Sequence, residues 1–106
     1  MKYKTHNDIN INYNGTGLQG YIIISYEELV NIFGNHQTFD DYKTDAQWIV
    51  KFSDGVVATI YNYKNGVNYL GEDYGVPTKY ITEWNVGGKT DKVVSRINNI
   101  IKKGTK

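Results

Sequence analysis

The chain has 106 residues, 40% hydrophobic and 22% charged, with a formal net charge of +1. That balance fits one water-soluble domain with a single modest core. There is no cysteine, which excludes disulfides, thiol catalysis and zinc-thiolate sites. The longest apolar run, Tyr21 to Ile24, is strand-sized, against the roughly 18 residues of a membrane span. The start of the chain lacks the apolar stretch of a signal peptide. The expectation is therefore one domain over residues 1–106, cytoplasmic and without membrane contact, with residues 1–7 loose or at an edge.

Asp8 to Tyr13 alternates polar and apolar residues, the period of a half-buried strand. Asn14-Gly15 is a hairpin turn signal, and Leu18 to Ile24 reads as a second strand, whose run Tyr21 to Ile24 is apolar on both faces and so is expected inside the sheet. Ser25-Tyr26-Glu27-Glu28 spells a capping box. Leu29, Val30, Ile32 and Phe33 then give a short helix its apolar stripe, and Gly34 is placed as a left-handed cap.

The stretch Ala46 to Tyr63 is two β-rich runs joined at Asp54-Gly55. Read as a two-residue turn, this dipeptide pairs Phe52 with Val57, Val50 with Thr59 and Trp48 with Tyr61. Those six would form the main core, with Ile49, Val56, Ala58 and Ile60 on a partly covered second face. Residues 64–79 hold Asn65-Gly66, Gly71, Gly75 and Pro77 and read as a long loop or ragged hairpin. Thr78 to Val86 reads as a last strand, broken by Gly87-Gly88. Thr90 is placed as an N-cap, and Val93, Val94, Ile97, Ile100 and Ile101 fall on one helical face. Lys102 and Lys103 suit the helix's negative end, and Gly104 ends it. The resulting order, β-β-α-β-β-β-α, predicts an α+β fold: a mostly antiparallel sheet of about five strands with two helices packed on one face.

Few residues carry chemistry. His6 and His36 have no partner at ligand spacing, so structural or solvent-exposed roles are expected. Asp40, Asp41 and Asp45 offer oxygen ligands but lack the glycine pivot and terminal Glu of a calcium loop. Gly15-x-Gly17-x-x-Gly20 sits between a turn and a strand, the wrong context for a dinucleotide fingerprint. Gly87-Gly88-Lys89-Thr90 resembles the end of a phosphate-binding loop, but Glu83 stands where the first glycine belongs. These four residues remain a candidate anion site at a helix start. No catalytic residue, metal site or cofactor is expected.

Charge and tyrosine are unevenly spread. Residues 27–83 carry nine acids against four lysines, whereas residues 84–106 carry six bases against one acid. There are ten tyrosines. An AT-rich genome would enrich the same codons. Tyrosine also supplies large amphipathic contact area at low entropic cost, as binding surfaces use it.

Phe33-Gly34, the hairpin Trp48-x-Val50-x-Phe52-x-Asp54-Gly55-x-Val57-Ala58-Thr59-Ile60-Tyr61-x-Tyr63-Lys64, and Thr82-Glu83-Trp84-Asn85-Val86-Gly87-Gly88 together resemble a group of small phage and prophage accessory proteins. The similarity spans about residues 18–101. Asn85 stands where that group has His, and His36 where it has Pro, so no catalytic histidine carries over to the strand end. The resemblance implies a phage setting, in which small inert proteins block host defences. The expected function is a non-enzymatic anti-defence inhibitor, such as an anti-CRISPR protein, binding a host defence protein such as a CRISPR effector nuclease. Its contact residues would be Asp40, Asp41, Tyr42, Tyr69, Glu72, Asp73 and Tyr74, where carboxylates imitate phosphates. The alternatives are a nucleotide-signal sponge built on a homodimer, or a single-stranded nucleic-acid accessory protein. The acidic middle disfavours direct nucleic-acid binding.

Overall fold

A computed structural model describes residues 2–38 and 43–104. The elements are β1 (Tyr3–Thr5), β2 (Gly17–Ile23), α1 (Tyr26–Phe33), β3 (Gln47–Phe52), β4 (Val57–Tyr61), α2 (Val67–Tyr74), β5 (Glu83–Gly88) and α3 (Lys92–Gly104). The strands form one antiparallel sheet in the order β1-β3-β4-β5-β2. This is the expected α+β architecture with one more helix, α2. Leu29 and Phe33 of α1 and Val93 and Ile97 of α3 are buried in the core that also holds the inner residues of the sheet.

The Ser25 hydroxyl accepts from the Glu28 amide at 3.2 Å and lies 3.3 Å from the Glu28 carboxylate, so the first turn of α1 is capped as its sequence indicates. Gly34 closes α1 at φ +86°, ψ −163°, a glycine-only region distinct from the left-handed helical cap expected. A Cβ there would also strike the Asn7 amide. That amide donates to the carbonyls of Phe33 and Asn35 and so caps α1 from across the chain.

The central hairpin is shifted by one residue from the expected register. The Phe52 amide donates to the Val56 carbonyl, the Gly55 amide donates to the Phe52 carbonyl, and Gly55 has φ +90°. The turn is thus the three residues Ser53 to Gly55, with the left-handed glycine last. Trp48 pairs with Ile60, Val50 with Ala58 and Lys51 with Val57. A one-residue slip exchanges the faces. Ala58 and Ile60 therefore join Trp48 and Val50 in the core, and Thr59 and Tyr61 turn outward alongside Ile49.

The expected strand over Asp8 to Tyr13 is absent: the chain turns at residues 6–8, bends at Ile9 and has no regular structure over residues 10–13, and the first strand is the short β1. Side-chain hydrogen bonds tie down the turns at either end of the segment. Asp8 accepts from the Thr5 amide, Asn12 from the Asn14 amide, and the Thr16 hydroxyl donates to the Tyr13 carbonyl. Ile9 lines a hollow with Lys4 and Lys51, and Asn12 lines one with Val57 and Lys89. The segment thus lies against the outer face of β3 and β4, where Ile49 and Thr59 are buried.

The last strand is also shorter at its start than expected. Thr78–Tyr80 is a 3-10 turn after Pro77, and β5 begins at Glu83. Gly87 and Gly88 extend the strand instead of breaking it. A Cβ on Gly87 would strike the Thr59 hydroxyl, and one on Gly88 would strike Val93 of α3. Close packing on both faces of the sheet accounts for the pair.

The centre of the core is aromatic. Trp48 and Trp84 meet edge to face at 5.3 Å, and Tyr26 lies 5.8 Å from Trp48 and 6.4 Å from Trp84. Both indoles are fully buried, and both donate to backbone carbonyls, of Gly34 and Ile24 respectively. At one end of the sheet, Arg96 of α3 forms a two-pronged ion pair with Asp54 and stacks 5.1 Å from the Phe52 ring. The Arg96 hydrogen bond holds the Asp54 carboxyl below its ordinary pKa.

Candidate binding surface

Between β4 and β5 the chain leaves the sheet and forms an arm, residues 62–82. Its anchor is polar. Asn62, 1% exposed, accepts from the amides of Asp45 and Ala46 and donates to the carboxylate of Asp45 and the side chain of Asn65. The second oxygen of Asp45 accepts from the Asn68 amide in the first turn of α2. Gly66 holds the N-cap position with no capping side chain of its own. A carboxylate 23 residues away in sequence supplies the cap, where the helix dipole favours negative charge. Gly66 is required, because a Cβ would collide with that carboxylate.

The far side of the arm is closed by backbone. Val76 donates to the Asn65 carbonyl, and Gly75 packs against the backbone of Gly66 and Val67. Inside α2, Gly71 takes φ +81°, ψ 174° and kinks the helix. The glycines that suggested a loop are therefore the residues that let a kinked helix fold back on itself.

No side chain of α2 is buried. Residues 68–74 are exposed without interruption. They present Tyr69, Leu70, Glu72, Asp73 and Tyr74, the last 83% exposed. Tyr63, Val76 and Tyr80 extend the same excursion into solvent. The Lys64 ammonium lies 5.3 Å from the Tyr63 ring and 5.7 Å from the Tyr69 ring, and Lys79 lies 5.1 Å from Tyr80. Lys64 holds φ +59°, and its amide is tied to the Lys43 carbonyl. Of the anticipated contact residues, Tyr69, Glu72, Asp73 and Tyr74 thus share one short arm. Asp40, Asp41 and Tyr42 lie outside the described residues.

The second anticipated site, Gly87 to Thr90, is at the other end of β5, about 17 Å away by strand geometry. Gly87 and Gly88 are sealed into the sheet, the Lys89 side chain runs 3.2 Å from the Cβ position of Gly15, and the Thr90 hydroxyl accepts from the Lys92 amide at 3.4 Å. The adjoining hollow of about 320 Å³ also contains Asp54, so an anion there would meet a carboxylate.

Asp45 is committed to the arm, with both oxygens occupied. Among the described residues no group of three or more His, Asp or Glu side chains is placed to hold a metal ion, and no helix is long and apolar enough to cross a membrane. Both histidines are built into the fold. His6 accepts from the Ile49 amide through Nδ1, which leaves Nε2 to donate to the Asn35 carbonyl. His36 Nδ1 lies 2.7 Å from the Tyr26 hydroxyl. Burial, and secondarily His6, holds the His36 pKa below its ordinary value.

Sequence reasoning missed the anchor, Asp45 with Asn62, and a second open area on the outer face of β2. Tyr21 is 56% and Ile23 81% exposed there, beside Tyr61, whose pKa is raised by burial against the opposing effect of an Asn85 hydrogen bond. Asn62-x-x-Asn65-Gly66 marks turn chemistry but not burial. The apolar run Tyr21 to Ile24 suggested an interior strand, whereas β2 is at the edge of the sheet. No protein-family model matches this chain, and no curated protein matches it.

Proposed function

We propose that this chain is a non-enzymatic binding protein, a phage-type inhibitor that docks on a host defence protein such as a CRISPR effector nuclease. The observation that carries the reading is the uninterrupted exposure of residues 68–74 on an arm whose base is fixed by buried hydrogen bonds. Tyrosines there give contact area with little entropy to lose. Glu72 and Asp73 beside them suit a basic channel, where carboxylates take the place of nucleic-acid phosphates. The same acids repel a phosphate backbone, which disfavours direct nucleic-acid binding. The phage setting rests on the sequence resemblance.

The test is size-exclusion chromatography with light scattering, using the full chain mixed with purified CRISPR effector nucleases. A thermal-shift panel of cyclic nucleotides runs alongside. A stoichiometric complex that disappears in the Glu72→Lys, Asp73→Lys double variant is the expected result. A nucleotide-dependent shift without a protein complex overturns the reading in favour of a signal sponge.

A further inference from the structure

The two edges of the sheet are built differently. β1 has three residues, and Lys4 on it lies directly opposite Lys51 of β3, with Lys2 two residues before it. Lysines and shortness are the usual means of keeping an edge from pairing with another strand. β2 has seven residues, GLQGYII, with no charge and no proline. It bends at a bulge between Leu18 and Gly20, and beyond the bulge it runs in regular register to Ile23.

The Ile24 amide donates to the Thr82 carbonyl on the β5 side. The alternation of an antiparallel ladder then turns the amides and carbonyls of Tyr21 and Ile23 to the open side. Among the described residues no backbone hydrogen bond to a loop or turn reaches either. Their side chains, on the outer face, are the most exposed apolar groups of the sheet.

We infer that the β2 edge is a homodimer interface, in which β2 pairs antiparallel with β2 of a second copy about a two-fold axis at Ile22. In that register the amide and carbonyl of Tyr21 exchange hydrogen bonds with Ile23 of the other copy, and the reverse. The outward groups are the ones this pairing requires. Tyr21 then stands across the seam from an Ile23, an aromatic against a β-branched residue, which is a favourable cross-strand pair. Two features of the chain select a second copy. The lysine-bearing β1 edge blocks head-to-tail β1-to-β2 pairing, which would grow into filaments, and this leaves the closed two-fold arrangement. With no charge on β2 and a net charge of only +1, two copies approach without appreciable repulsion. The seam joins two five-stranded sheets into one continuous sheet and places an arm on each half.

The experiment is sedimentation equilibrium of the full chain from micromolar to near-millimolar concentration, for the native protein and for Ile23→Lys and Tyr21→Lys. Both positions are exposed, so the fold should survive, which circular dichroism checks. The expected result is a concentration-dependent dimer that either lysine abolishes, with the Tyr21 and Ile23 amides slowing in hydrogen exchange as concentration rises. A native chain that stays monomeric throughout, or a dimer indifferent to both lysines, overturns the inference. So does amide protection of β2 that appears only with an added partner protein.

Discussion

The inner face of the sheet and helix α2 of the arm between β4 and β5 are held by opposite means. The inner face closes over Trp48, Trp84, Ile60 and Val86 with essentially no solvent contact. Its two indole nitrogens are aimed at carbonyls. The arm buries no side chain of its helix; its start is held by one carboxylate and one amide, and Ile81 returns it to the core at its end. Apolar area has no direction, so it can stabilise the sheet and helices together without fixing how a short protruding segment sits. Directional hydrogen bonds can fix it and leave residues 68–74 exposed. Under the proposed function, stability and recognition fall to different residues.

The sharpest way to break the comparison is at its apolar half. Trp84→Ala removes a fully buried indole and orphans the Ile24 carbonyl. It should cost about 3–5 kcal/mol of global stability, read as a shift of the urea midpoint. A loss no larger than that of a surface substitution would mean the core does not centre on this pair.

The polar half should respond locally. Asn62→Ala leaves the amides of Asp45 and Ala46 without their acceptor. A cost of about 1–3 kcal/mol is expected for such buried groups. Hydrogen exchange should speed up over residues 66–76, while β3 and β4 keep their protection. Uniform acceleration across the sheet would show that the arm and core unfold as one unit.

What the sequence disclosed follows the same division. The ends of α1 and the apolar stripe of α3 were legible because capping and helical periodicity act within a few residues. The central hairpin was legible as a hairpin, but its faces were exchanged. Asp54-Gly55 is compatible with both a two-residue and a three-residue turn, and only the tertiary preference for burying Ile60 and Ala58 selects between them. The strand expected at Asp8 to Tyr13 is absent, and Asp8 and Asn12 instead bond to the amides of Thr5 and Asn14 in the flanking turns, which periodicity does not register. The arm was hidden for a different reason. Its N-cap, Asp45, comes from before the hairpin, so no local pattern around Gly66 announces a helix. The acidic and tyrosine residues on it were identifiable by composition, but the helix that carries them is capped by that distant carboxylate.

A smaller effect should appear on acidification. Burial holds the His36 pKa below its ordinary 6.5, so the folded chain takes up this proton less readily than the unfolded chain. The associated stability is complete above about pH 6.5 and is lost as pH falls from there through the folded value. His36→Gln should therefore flatten the slope of urea midpoint against pH in that window, with little change near neutrality. His36 packs against Tyr26 and Trp48 of the inner layer, so the pH response belongs to the core half of the comparison. An unchanged slope would assign the response to other groups.

The smallest effect on stability should come from the surface of the arm itself. Glu72 and Asp73 are exposed, with no ion pair to either among the described residues. Reversing both to lysine should move the free energy of unfolding by no more than about 0.5 kcal/mol. The change should also be insensitive to salt, since no favourable pair is being screened. If the double variant is markedly destabilised, these carboxylates support the fold, and their loss of binding would no longer report on an interface. If stability is unchanged while binding is lost, the arm is a surface that the core carries without depending on it.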